Sequence, residues 1–196
     1  MQMSTGSITR PYIPTEQEIK RDWVQTAKGI YVSPELAKDE SGIRITDVNW
    51  YDALDAAKRV SGQSNRTFYV ASYGEELDVI RHSKGAKNEA KKFRAWTRNR
   101  YETVGGKTHI ESYFDRNHFE VIILGYALTN GYISSLALGA PSSVSGQPNS
   151  DFLNAQLYYG NNSGIRDWNG GFDAFVGHGT ASADAHLGFR LVCYEK

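Results

Sequence analysis

Hydrophobic positions along this chain change period several times, and each change predicts an element. The clearest helical period runs over about 49–61. Trp50, Ala53, Leu54, Ala57 and Val60 recur at spacings of three and four and make one apolar face. Asp47 or Asn49 starts this helix. Upstream, Thr15 with Glu18 three residues on forms a capping box for a helix to about Lys28, where Gly29 ends it. Downstream, Ser72 with Glu75 caps another, carrying Leu77 and Ile80 and ending near Lys84-Gly85. Short strands are predicted at Ile30–Val32, Ile43–Ile45 and Thr67–Val70. His118 to Leu124 is the best candidate for a buried strand, and Leu153–Tyr159 and Gly188–Tyr194 read as further strands. Gly105-Gly106 marks a turn, and Gly139 to Ser150 an open loop. Helices come early and short strands with long loops come late, without βαβ alternation, so the fold class is α+β.

Composition sharpens the second half of this pattern. There is no Glu between Glu120 and Glu195, no Lys between Lys107 and Lys196, and no Met beyond Met3. An ordinary solvated surface uses Lys and Glu heavily. The stretch Ala155 to Val192 is built instead from Tyr, Phe, Asn, Asp and Gly, as recognition surfaces are. Turn chemistry in a loop-rich β region accounts for the same Gly, Asn and Asp. The 196 residues suit one domain, or one domain with an arm. A formal net charge of zero gives no global field toward nucleic acid or membrane. No apolar leader and no membrane-length run is read, so a soluble chain without a conventional leader is expected.

Candidate chemistry is sparse. The single Cys193 excludes an internal disulfide and a multi-cysteine metal site. His82, His109 and His118 are scattered, and His178 and His186 lack a Cys partner or helical spacing, so no metal and no cofactor is expected. Residues 86–107 are basic, with Phe93, Trp96 and Tyr101 interleaved. Such a run can bind single-stranded nucleic acid. More often it is a solvated face with a few anchors, and with zero net charge no nucleic-acid partner is expected. In the C-terminal stretch, Tyr158, Tyr159, Phe172 and Phe175 are candidate aromatic anchors, one of the two adjacent tyrosines pointing outward. Asn161, Asn162, Arg166, Asp167, Asn169 and Asp173 are candidate polar contacts.

Three segments resemble a known family in order. Val48-Asn49-Trp50-Tyr51-Asp52-Ala53-Leu54 is similar to the V-x-W-x-D-A helix start of formylglycine-generating-enzyme-like domains. Arg66 to Leu77 resembles their R-L-P-T-x-x-E-W step, with Leu-Pro-Thr replaced and Leu77 in place of the Trp. Leu187-Gly188-Phe189-Arg190-Leu191-Val192 is similar to their terminal G-F-R-x-V strand. The resemblance implies a C-type-lectin-like fold: a small mixed sheet, two helices and a long loop-rich display region. The sulfatase-modifying members use a cysteine pair that this chain lacks. The chain more closely resembles the variable proteins of diversity-generating retroelements, such as phage tropism determinants and archaeal virus variable proteins. Those end a hypervariable region just before a fixed G-F-R-L strand. Their diversification acts on pyrimidine-ending codons, which cannot become Lys, Glu, Gln, Met or Trp. The depleted stretch fits this, and Gln156 and Trp168 would be fixed positions.

The resemblance implies residues 1–45 as an N-terminal extension, and 46–196 as the lectin-like domain with a variable region of about 155–187. The ligand-binding face would comprise Tyr158, Tyr159, Asn161, Asn162, Ile165, Arg166, Asp167, Asn169, Phe172, Asp173, Phe175, His178, Asp184, Ala185 and His186. Its partner would be a host cell-surface protein or other macromolecule, met from the tail or surface appendage of a virion. No enzymatic activity and no membrane insertion are expected. The alternative is a calcium-dependent lectin. Gln147-Pro148-Asn149 followed by Trp168-Asn169 is similar to the calcium elements of carbohydrate-binding lectins, although Gly170 stands where their Asp would be.

Overall fold

The computed structural model describes residues 10–105, 107–124, 162–166 and 185–195. These form a mixed α+β structure of two small sheets and several short helices. The predicted strand Leu153–Tyr159 and the loop 139–150 lie outside the described residues.

Helix α1 (Glu16–Asp22) starts at the Thr15–Glu18 capping box. It stops six residues short of the expected Lys28. Trp23 turns extended and β1 (Val24–Ala27) folds back on β2 (Ile30–Val32). Gly29, expected to cap a helix, serves the hairpin turn at φ 76°, a left-handed conformation that costs glycine little. Residues 43–45 do not form the expected strand, making only an isolated bridge between Lys38 and Arg44. A three-residue alternation is too short to prevail without a neighbouring strand to pair with.

Helix α2 (Trp50–Ser61) is capped by Asn49, whose side chain accepts from Asp52 N–H while Asp52 bonds back. Trp50, Ala53, Leu54, Ala57 and Val60 are all buried, as their spacing predicts. Strand β3 (Thr67–Val70) leads to Ser72, which caps α3 (Tyr73–His82) with Glu75. The helix ends at His82 rather than near Lys84. Ser83 accepts from Ala86 N–H and starts a separate α4 (Lys84–Ala90).

The basic run then becomes β4 (Arg94–Val104), an eleven-residue strand. Trp96, Arg98 and Asn99 are buried, so this part of the run is no solvated face. Gly105, at φ 58°, turns β4 into β5 (Lys107–Asp115) across the predicted Gly-Gly hairpin. Strand β6 (His118–Leu124) pairs with β5 alone among the described strands. It was expected to be buried, yet Phe119 and Val121 are 42% and 43% exposed. An apolar run without polar alternation signals a strand but cannot specify its place in the sheet.

The last segment joins the two sheets. Strand β8 (Leu187–Phe189) runs parallel to the start of β4, whose remaining pairings, with β5 and β7 (Asn162–Arg166), are antiparallel. After Arg190, β9 (Leu191–Tyr194) lies between β2 and β3, antiparallel to both, giving the order β1-β2-β9-β3. Strands β1 and β2, within the stretch set apart as an extension, thus share a sheet with the C-terminal strand. Tryptophans stitch the core where the segments meet. Trp50 Nε1 donates to Thr97 O at 2.8 Å, and Trp96 Nε1 to Val48 O at 2.9 Å. Trp50 also meets Tyr113 edge-on at 4.8 Å.

Candidate ligand-display site

The candidate site is best built from the strand that ends it. Leu187, Phe189, Arg190, Val192 and Cys193 have no exposed surface. Their backbone is held from both sides: Ala37 and Ser33 N–H groups donate to Phe189 and Leu191 carbonyls, and Ala71 N–H to Arg190 O. Gly188 passes so close to the 33–45 connection that a Cβ there would lie 3.1 Å from Ile45 O and 3.3 Å from Leu36 Cδ1.

Arg190 is the anchor. Its Nε donates to Glu76 Oε2 at 2.5 Å, both side chains fully buried, and Nη1 donates to Ser33 O at 2.9 Å. Glu89 Oε1 lies 4.0 Å from its Nη2. A second buried pair sits beside it. Arg98 Nη1 donates to Glu75, Arg98 Nη2 to Tyr194 Oη at 2.9 Å, and Tyr194 Oη to Glu75 Oε2 at 2.9 Å. Burial raises the Tyr194 phenol above its ordinary range, so it stays a neutral donor within this network. Charges buried this deeply are tolerated because each has an opposite charge and further hydrogen bonds. Glu75 and Glu76, adjacent at the start of α3, therefore fix two different elements: β4 and the β8–β9 junction.

Immediately before this strand the environment reverses. Ala185 and His186 are exposed, as a display face requires of its last positions. The His186 carbonyl accepts from Arg94 N–H at 2.8 Å, and its ring lies 6.1 Å from that of Phe93. On Phe93 the Arg44 guanidinium sits 4.1 Å from the ring centroid, itself held by Glu89 Oε2. Lys91, Lys92, Phe93 and His186 line a shallow open depression. Reading the C-terminal stretch for its Tyr and Asn content leaves out these rim lysines and Phe93. The basic run containing them was the available signal.

No protein-family model, curated protein or solved structure was found to match this chain.

Of the other predicted contact residues, Asn162, Ile165 and Arg166 belong to β7, whose backbone pairs with β4 in the register Ala95–Arg166, Trp96–Ile165 and Tyr101–Asn162. β7 and the 185–186 corner are thus both anchored on β4. Tyr158, Tyr159, Asn161, Asp167, Asn169, Phe172, Asp173, Phe175, His178 and Asp184 lie outside the described residues, as do Gln147 to Asn149 and Trp168.

Elsewhere, a cleft of about 440 Å³ opens between α1 and the 33–42 connection, with Trp23, Leu36 and Leu191 among its lining residues. Its carboxylates are engaged. Glu18 accepts from Tyr12 Oη and Thr15 N–H, Asp22 binds Arg21, and Glu35 pairs with Lys38. Among the described residues no group of three His, Cys, Asp or Glu side chains could hold a metal ion. Cys193 is buried behind Arg66, and burial pushes its thiol up to about 11. It is protonated and inaccessible at neutral pH, unlike a nucleophilic cysteine. No helix among the described residues is long and apolar enough to cross a membrane.

Proposed function

We propose that this chain is a ligand-binding protein, not an enzyme, displaying retroelement-diversified side chains on a C-type-lectin-like scaffold. Its task would be recognition of a host cell-surface protein or other macromolecule by a virus particle. The observation that carries this reading is the abrupt boundary at residue 187. His186 is exposed, and Leu187 begins a strand with almost no accessible surface. That boundary coincides with the end of the variable region implied by the resemblance. The three segments that carry the resemblance also meet in one core cluster, which holds Trp50 and Leu54, Phe68 and Val70, and Phe189 and Leu191, and the Glu76–Arg190 pair joins the second to the third. Display on a strand-anchored frame needs little reorganisation on binding, because ordering costs are met during folding. A rigid frame also lets surface side chains change without disturbing the core.

The test is sequencing codons 124–194 across a natural population carrying the gene. Changes are expected at pyrimidine-ending codons between about 155 and 186, with Trp168 and 187–192 constant. A stretch as constant as α2 and α3 would overturn the diversification reading.

A further inference from the structure

Helix α4 presents a face that the display reading does not use. Lys84, Lys87 and Lys91 recur at i, i+3 and i+7, which places them within an arc of roughly 60° over about 10 Å of helix axis. All three are exposed, as is Lys92. The opposite side of the helix is buried: Ala86 and Ala90 are covered, with Ala86 packed in a cluster with Val79, Val32 and Val192. The one acid of this helix, Glu89, turns inward to Arg44, the Leu36 N–H and Arg190. None of the four lysines has an ion-pair partner among the described residues, whereas Lys20, Lys38 and Lys58 each lie within 4 Å of a carboxylate. Three like charges on one short face, with Lys92 just past the helix end, repel one another, and an anionic partner removes that repulsion. The face adjoins the 185–186 corner, because Lys91 and Lys92 share the depression with Phe93 and His186.

We infer that this lysine face is a constant docking surface for a linear anionic glycan carrying sulfate or carboxylate groups. Lysine ammoniums are compact point charges on flexible stems, suited to separate anionic groups along a chain and lacking the planar fork that reads phosphates and bases. Single-stranded nucleic acid needs aromatic platforms. Among the described residues the depression offers only Phe93, which already carries the Arg44 guanidinium, and the His186 ring beside it. A membrane surface would call for apolar side chains among the lysines, and exposed positions 84–92 offer none. The inference does not depend on the display reading, since it concerns residues outside the variable stretch.

The experiment is retention of the full chain on immobilised heparin, used as the sulfated-glycan probe, with solution titration of a heparin oligosaccharide at several salt concentrations. With about four charge contacts, the log–log salt dependence is expected to have a slope near −3, by analogy with other flexible polyanions. The variant K84Q/K87Q/K91Q/K92Q should elute with the void and lose at least tenfold in affinity, its melting temperature unchanged. The control K20Q/K28Q/K58Q, which removes charge elsewhere, should keep its retention. Equal loss in the control, or unchanged retention in the quadruple variant, overturns the assignment. So does failure of the unmodified chain to bind heparin. Tighter binding to duplex DNA of matched charge, or to phosphatidylserine vesicles, at the same salt would move the partner to another class and overturn it equally.

Discussion

Removing one member of the Glu76–Arg190 pair tests the frame of the proposed site most directly. Both side chains are fully buried, joined by a 2.5 Å hydrogen bond, and Arg190 also donates to Ser33 O. Glu76→Gln keeps the shape and a hydrogen-bonding oxygen but leaves the guanidinium without its closest counter-charge. Breaking such a pair from one side costs about 3–5 kcal/mol. Glu89, 4.0 Å from Nη2, supplies partial compensation, so the lower end of that range is expected. For a chain of this size, about 3 kcal/mol lowers Tm by roughly 6–12 °C. Arg190→Met should cost as much, because it strands the Glu76 carboxylate. The double variant Glu76→Leu with Arg190→Met removes both charges, and should recover at least about 2 kcal/mol relative to the sum of Glu76→Leu and Arg190→Met alone. Urea unfolding of these variants and wild type closes the cycle. Single-variant costs under about 1 kcal/mol, or strict additivity, would refute the claim that this pair pins the terminal strand to α3.

Three further outcomes follow from specific contacts. Gly188→Ala should destabilise by about 1–3 kcal/mol in urea melts, because its Cβ meets a backbone oxygen at 3.1 Å that cannot move without shifting the 33–45 connection; an unchanged midpoint would contradict that close approach. The Cys193 thiol, fully buried and pushed up to about 11, should resist a thiol reagent such as dithionitrobenzoate at pH 8 in native protein and react once in denaturant; rapid stoichiometric labelling without denaturant would show the strand to be open. Glu16 is held below its ordinary value of 4.5, chiefly by the hydrogen bonds from Arg66. A depressed carboxyl pKa contributes stability that is present above about 4.5 and lost as pH falls through the folded value. Melting temperature should therefore fall less between pH 5 and pH 3 in Glu16→Gln than in wild type, and parallel curves would show that this largely exposed carboxylate is screened.

The share of this architecture legible in the sequence follows the range of each signal. Capping boxes act over three residues, and those read at Thr15 and Ser72 both form, while Asn49, one of the two starts offered for α2, caps it. The 3.6-residue period of α2 is complete within the helix, so its buried face could be read off directly. Strands at 30–32 and 67–70 and the Gly-Gly turn were also visible, but the single strand read over 188–194 is two, β8 and β9, broken at Arg190 and paired in different sheets. Signals that rely on a distant partner failed. Residues 23–28 read as the end of the first helix, but β2 captures four of them as a strand. The basic run 94–104 shows no clean alternation, since Arg98 and Asn99 are buried polar residues that bond to Glu75, Tyr194 and Ser112. The place of β6, paired with β5 alone among the described strands, was hidden for the same reason: an apolar run says what can pair, not what does.

The sequence by itself determined where the chain turns, where helices start, and that 187–192 is apolar apart from one arginine. Only the tertiary structure decided what that arginine is for. Nothing local marks Arg190 for burial; a lone arginine in a strand is ordinarily placed facing water. It is buried because Glu76, 114 residues away in sequence, is held by α3 at the point where the terminal strand passes from one sheet to the other. The exposed lysine face arises in the same way. Helical spacing groups Lys84, Lys87 and Lys91, but that no described carboxylate pairs with them follows from Glu89 turning inward to Arg44, Leu36 and Arg190. Local energies select segments, and long-range pairing of charges and strands, which short windows of sequence cannot register, fixes how the segments meet.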